Sequence, residues 1–154
     1  MKLTIDNNDG AGARDYTSVL DSERPPRVTR LLNRPGGLRA WLYAPGAEFV
    51  VPVTGARVVL ARNDGTKVFT GYVCKAPDYE YLGWGERGPA YRYALRASSD
   101  ESRLEAKALA PRADFVHRSA GEVLRSIAND LAPGAFNTGA CEELGMLPAY
   151  AADP

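Results

Sequence analysis

Cysteine, histidine and long apolar runs are all scarce in this chain. Its 154 residues include two cysteines, Cys74 and Cys141, which lie 67 positions apart and form no CxxC pair. A small secreted scaffold carries more, so both are expected to be free thiols. One histidine, His117, with no cysteine cluster, argues against a structural zinc site. The apolar stretches stay under about ten residues, where a membrane-spanning helix needs roughly twenty. Residues 1–6 (MKLTID) have no apolar core of signal-peptide length. These absences predict a protein made and kept in a cytosol. An excess of one charge sign is missing too. Nineteen basic residues face nineteen acidic ones, which weakens any picture of a chain that coats nucleic acid by being basic all over.

Catalytic signatures are equally thin. His117 has Ser119, Asp114 and Asp130 within reach in sequence, but a hydrolase triad needs a geometry that adjacent residues rarely supply. The G-x-S-x-G elbow is absent. His117 is read as an ordinary side chain before a helix cap, and Cys74 as a small strand residue rather than a nucleophile. The glycine-rich run at 83–88 is not read as a phosphate-binding loop. No cofactor is expected.

What is present is punctuation. Fifteen glycines and eleven prolines separate short apolar runs, a spacing that suggests many short strands joined by turns. Strands are predicted at 2–6, 27–33, 38–44, 48–53, 57–62, 67–75 and 91–97. A turn at Asn33-Arg34-Pro35-Gly36-Gly37 makes 27–44 a hairpin, and Asp64-Gly65 joins 57–62 to 67–75 as another. Gly71, inside the return strand, marks a bulge or a close backbone approach. Residues 7–26 and 76–90 read as loops, the second carrying Tyr79, Tyr81 and Trp84. A short helix is expected over 101–109. A second helix, near 119–132, has Ser119 as N-cap, Glu122 completing a capping box, and an apolar face of Ala120, Val123, Leu124, Ile127, Ala128 and Leu131. Long βα alternation is absent, which disfavours a doubly wound parallel sheet. The fold class predicted is mainly β (α+β): a small antiparallel barrel or sandwich of six to eight short strands with one or two packed helices. Residues 1–136 are expected to form this domain and 137–154 a tail or the start of a further segment.

The zero net charge conceals an uneven distribution. Residues 24–75 hold nine basic and two acidic residues, while 1–23 carry a net −3 and 76–154 a net −4. Arg27, Arg30 and Arg34 belong to a stretch with no acid between Arg24 and Arg39. Such a stretch suits nucleic acid, an acidic surface on a neighbouring copy, or plain solvation. Tyr79, Tyr81 and Trp84 are of the types enriched at protein interfaces, and the same types stack on sugars or bases.

The order of these pieces resembles a family. The resembling stretch runs through Leu31-Leu32-Asn33-Arg34-Pro35, Pro52-Val53-Thr54-Gly55-Ala56-Arg57-Val58, Asp64-Gly65, Val68-Phe69-Thr70-Gly71-Tyr72-Val73, Ser98-Ser99-Asp100 and the helix opening at 119–124. It is similar to the N-terminal β-barrel domain of phage or prophage tail baseplate hub proteins and their relatives in contractile injection machines. The resemblance covers roughly residues 1–136. It implies a non-catalytic structural protein whose copies assemble into a ring, commonly a trimer, linking tail tube to spike or fibre. It also implies residence in the virion tail, with the bacterial host cytoplasm as the place of assembly. Family members are usually much longer than this chain. Tyr79, Tyr81, Trp84, Arg27, Arg30 and Arg34 are the candidate interface residues. A flavin-binding split-barrel enzyme and a carbohydrate-binding module remain as alternative readings.

Overall fold

A computed structural model describes residues 1–32, 34–46, 48–105, 115–134, 136–139 and 141. The chain divides into two compact units, Met1–Glu101 and Ser102–Pro154. The first is one antiparallel sheet of eight strands: β1 (Lys2–Asp6), β2 (Arg14–Asp15), β3 (Arg27–Leu31), β4 (Arg34–Pro45), β5 (Arg57–Ala61), β6 (Lys67–Val73), β7 (Asp78–Gly85) and β8 (Gly88–Ser99). The strands lie in the order β2-β1-β5-β6-β8-β4-β3, and β7 pairs with β8 off that path. The mainly β architecture expected from the turn spacing is therefore present.

Alternation builds the core. Leu3 and Ile5 of β1, Leu38, Ala40 and Leu42 of β4, Val58 and Leu60 of β5, Phe69 and Val73 of β6, and Leu95 and Ala97 of β8 all point to one buried cluster. On each strand they stand two residues apart, with buried Gly71 filling the place between Phe69 and Val73, as a one-faced sheet requires. Burying each of the larger side chains contributes about 1.5–3 kcal/mol. Strands far apart along the path, β1 and β4, thus share one core, so the sheet curls.

The ladder does not close on itself. Residues 16–21 stitch the gap between β1 and β4 instead. Tyr16 N donates to Leu3 O at 2.8 Å, and Leu3 N donates to Thr17 Oγ1 at 3.0 Å. Leu20 bridges to Leu42, and Asp21 N donates to Trp41 O at 2.9 Å. Residues 7–26, expected to be loop, hold β2 and a 3-10 turn at Thr17–Val19.

Two further expectations differ from the structure. Residues 48–53 form no strand: Pro52 lacks the N–H a ladder needs. Asn7 pins the segment from the side, donating from Nδ2 to Val51 O at 3.3 Å and accepting from Val53 N at 3.2 Å. Residues 76–90 are not a loop but most of a long hairpin, β7–β8.

Gly71 meets its expectation as a close approach. A Cβ there would overlap the Ser98 carbonyl and lie 2.9 Å from the Phe69 ring. This is where β6 crosses onto β8 (Gly71↔Ser99).

In the second unit, α1 spans Ser102–Glu105 and α2 spans Ala120–Leu131. The rest of the helix expected over 101–109 lies outside the described residues. The capping box is as predicted: Glu122 N donates to Ser119 Oγ at 3.2 Å, and Ser119 N donates to a Glu122 carboxylate oxygen at 2.9 Å. The helix ends at Leu131 with Ala132 as its C-cap, ahead of Pro133 and of Gly134 at φ 70°. Of the expected 137–154 tail, residues 140 and 142–154 lie outside the described residues.

Candidate functional site

β8 is twelve residues long and serves three partners. One edge pairs with β4 from Ala90 to Ser98. The other pairs with β7 from Gly88 to Ala94 and with β6 only from Ala97 to Ser99. The β7–β8 hairpin, still backed by β4, is thus an arm that extends the sheet past the end of β6.

The arm carries the predicted aromatics. Tyr79 is 69% exposed, Tyr81 56% and Trp84 78%. Tyr79 faces Tyr93 and Tyr81 faces Tyr91 across the ladder. Their rings form a continuous row, with Tyr81–Tyr91 centroids 5.4 Å apart, Tyr79–Tyr91 5.8 Å and Tyr79–Tyr93 6.0 Å. The row continues inward, since Phe49 stacks on Tyr93 at 5.0 Å and meets Tyr16 edge-on at 5.8 Å. Such contacts add about 0.5–1.5 kcal/mol per pair beyond burial, so the exposed tyrosines are held rigidly from the core outward. Burial raises the Tyr93 phenol above its ordinary range, with the neighbouring tyrosines adding to the shift. A shift at Leu82, between Tyr81 and Gly83, re-aims the tip, and Trp84 projects beyond the row.

Opposite this row, an ion pair fixes the arm's root. Arg92 Nε lies 2.9 Å from Asp21 Oδ2, and its Nη1 lies 3.6 Å from Glu80 Oε2. Both Arg92 and Asp21 are largely buried. Their atoms do not line up as a hydrogen bond, so the contact is one of charge on charge. Sequence reasoning missed this pair, because nothing local links residues 21, 80 and 92.

The predicted arginines gather elsewhere. Arg27, Arg30 and Arg34 are exposed on the β3–β4 hairpin. That hairpin pairs with the far end of β8, at residues 96–98, so β4 and β8 separate it from the aromatic arm. Arg27 stands directly opposite Arg39. Arg30 Nη2 reaches across to Val68 O at 2.8 Å. The structure therefore holds two candidate surfaces, one aromatic and one basic.

Neither surface carries familiar chemistry. Gly83, Gly85 and Gly88 do stand at G-x-G-x-x-G spacing, but they lie in and beside a β-hairpin turn. No helix follows to present its N-terminus to a phosphate. His117 sits at φ 53°, two residues before the helix cap. Among the described residues no three His, Cys, Asp or Glu side chains converge as a metal site, and no helix is long and apolar enough to cross a membrane.

No protein-family model matches the chain, and no curated protein does. Solved structures do resemble it. One is a 43 kDa tail protein of prophage MuSo2 from Shewanella oneidensis, at a TM-score of 0.56 and 12% identity, over 86% of this chain and 37% of that one. Another is a type VI secretion system component from E. coli, described as structurally similar to the T4 bacteriophage tail proteins gp27 and gp5. It gives a TM-score of 0.43 and 12% identity, over 72% of this chain and 31% of that one. The chain spans little more than a third of the prophage protein's length, and what it shares with that tail protein is its fold.

Proposed function

We propose that this chain is a structural assembly protein of a phage tail or related injection machine, a hub component that helps join the tail tube to the tip. The observation that carries the reading is the fold shared with a prophage tail protein over most of this chain. In this reading its partners are other copies of itself, in a ring such as a trimer, together with tube and spike proteins. Its work is done by surfaces rather than by catalysis, in the virion tail after assembly in the host cytoplasm.

The aromatic arm supplies one such surface. Tyr79, Tyr81 and Trp84 present rigid, amphipathic rings at low entropy cost, the type of residue that dominates interface energetics. Replacing Tyr81 and Trp84 together with Ala lowers the self-association or tail incorporation of the full chain, read by sedimentation velocity and by tail pull-down. A doubly substituted chain that assembles like the parent defeats this role for the arm.

The same exposed rings also suit stacking on sugars. Glycan-array binding that disappears in Trp84→Ala would favour a carbohydrate-binding module instead.

A further inference from the structure

A groove of about 540 Å³ opens between the β3–β4 hairpin and β6, well away from the aromatic arm. One wall is residues 67–70 of β6. The β6–β8 ladder ends at Gly71, so among the described residues these four run on with no strand on the β8 side. The other wall is β3, the terminal strand of the sheet, with Arg34 and Gly36 of β4. Two strand margins thus face one groove.

The width of the gap is legible from Arg30. Paired strands lie about 4.7–4.9 Å apart. Here β3 and β6 do not pair with each other, and the Arg30 side chain spans the space between them to donate to Val68 O at 2.8 Å. The groove thus has room for chain between its walls. Val68 O spends its hydrogen bond on a side chain, as a strand margin does when no neighbouring backbone fills it.

Charge says what kind of strand fits. Arg30, Arg34 and Lys67 line the groove against Glu101 alone. Arg34 and Lys67 form no ion pair among the described residues. Just outside, Arg27 and Arg39 stand directly opposite each other, a like-charge pairing that costs stability unless an anion relieves it. Leu31 and Leu32, exposed at the hairpin turn, add an apolar lip.

We propose that this groove is a docking site for an extended, acidic peptide segment of a partner protein. The segment adds alongside residues 67–70 by backbone hydrogen bonds, displacing Arg30 from Val68 O, while its carboxylates meet Arg34 and Lys67. Four residues of strand give about 13 Å of pairing length, enough for a short motif. The proposal does not depend on the role assigned to the aromatic arm.

The test uses the full chain and fluorescently labelled hexapeptides of alternating valine with glutamate or lysine, followed by anisotropy at low and at 0.5 M salt. The Val-Glu peptide binds, more weakly at high salt, and about tenfold more weakly to Arg34→Glu/Lys67→Glu. That variant gains affinity for the Val-Lys peptide, which also shows that it is folded. Equal binding of both peptides to the parent chain, or no binding at millimolar concentration, overturns the proposal. So does a fall in oligomeric mass of the peptide-free protein on Arg34→Glu/Lys67→Glu, because the occupant would then be a second copy. Loss of assembly in the Tyr81/Trp84 variant with peptide binding intact separates the two surfaces.

Discussion

At the scale of single residues, two positions carry more of the fold than their size suggests. Gly71 lies where β6 meets β8, against the Ser98 carbonyl and the Phe69 ring. Gly71→Ala therefore destabilises the fold by about 2–3 kcal/mol, as overpacking does, measured as a lower urea midpoint with an unchanged slope. Asp21 holds Arg92 at the root of the arm with both groups largely out of water. Asp21→Ala leaves a buried guanidinium short of its counter-charge and costs about 3 kcal/mol. Adding Arg92→Met recovers part of that loss; a double variant no more stable than Asp21→Ala would show that the charge is not the cause. Sequence reading caught the first residue and not the second. An isolated glycine among β-branched neighbours signals close approach by itself, whereas Asp21 and Arg92 become partners only through folding.

At the scale of elements, the signals that proved readable were local ones. β1, β5 and β6 follow period-2 alternation with one face buried, and β5–β6 has its Asp64-Gly65 turn, where Thr66 N donates to the Asp64 carboxylate at 2.9 Å. The α2 start was readable from Ser119 and Glu122 alone. β7 was not, because Asp78, Tyr79, Glu80 and Tyr81 are all exposed and no buried face sets the alternation. Residues 48–53 misled in the other direction: a β-branched run that reads as a strand is held by Asn7 and Tyr16, with Tyr16 Oη donating to Val50 O at 2.8 Å. The helix cap gives a prediction at this scale. Ser119→Ala costs about 1 kcal/mol, seen as lower helicity and a lower melting temperature. Hydrogen bonding from the Ser119 backbone N–H holds the Glu122 carboxyl below its ordinary range, helped by Arg118 and Arg125. A carboxyl so lowered stabilises the folded state above its unfolded pKa of 4.5, and that contribution fades as pH falls through its lower folded value. Glu122→Gln, which removes the titrating carboxylate, therefore costs stability near neutral pH by an amount that shrinks in acid, and a deficit unchanged down to pH 2 would contradict this half of the capping box.

At the scale of the molecule, net neutrality proves to be an average over separate surfaces. Five of the nine basic residues of the 24–75 stretch lie on the β3–β4 hairpin and at the start of β6, while the aromatics project from the other end of β8. The proposed assembly role needs such an arrangement, in which different neighbours are met at different places without the chain being charged overall. On the function proposed above, the curled sheet, the aromatic arm and the basic groove supply binding energy through surfaces. They also give the central claim, assembly, a simple readout.

That readout is the mass of the full chain in solution, by sedimentation velocity from about 1 to 100 μM at physiological salt. The account predicts a closed species at a whole multiple of the 16.6 kDa chain, three copies for a trimeric ring, whose population grows with concentration. A single 16.6 kDa species across the whole range would contradict it.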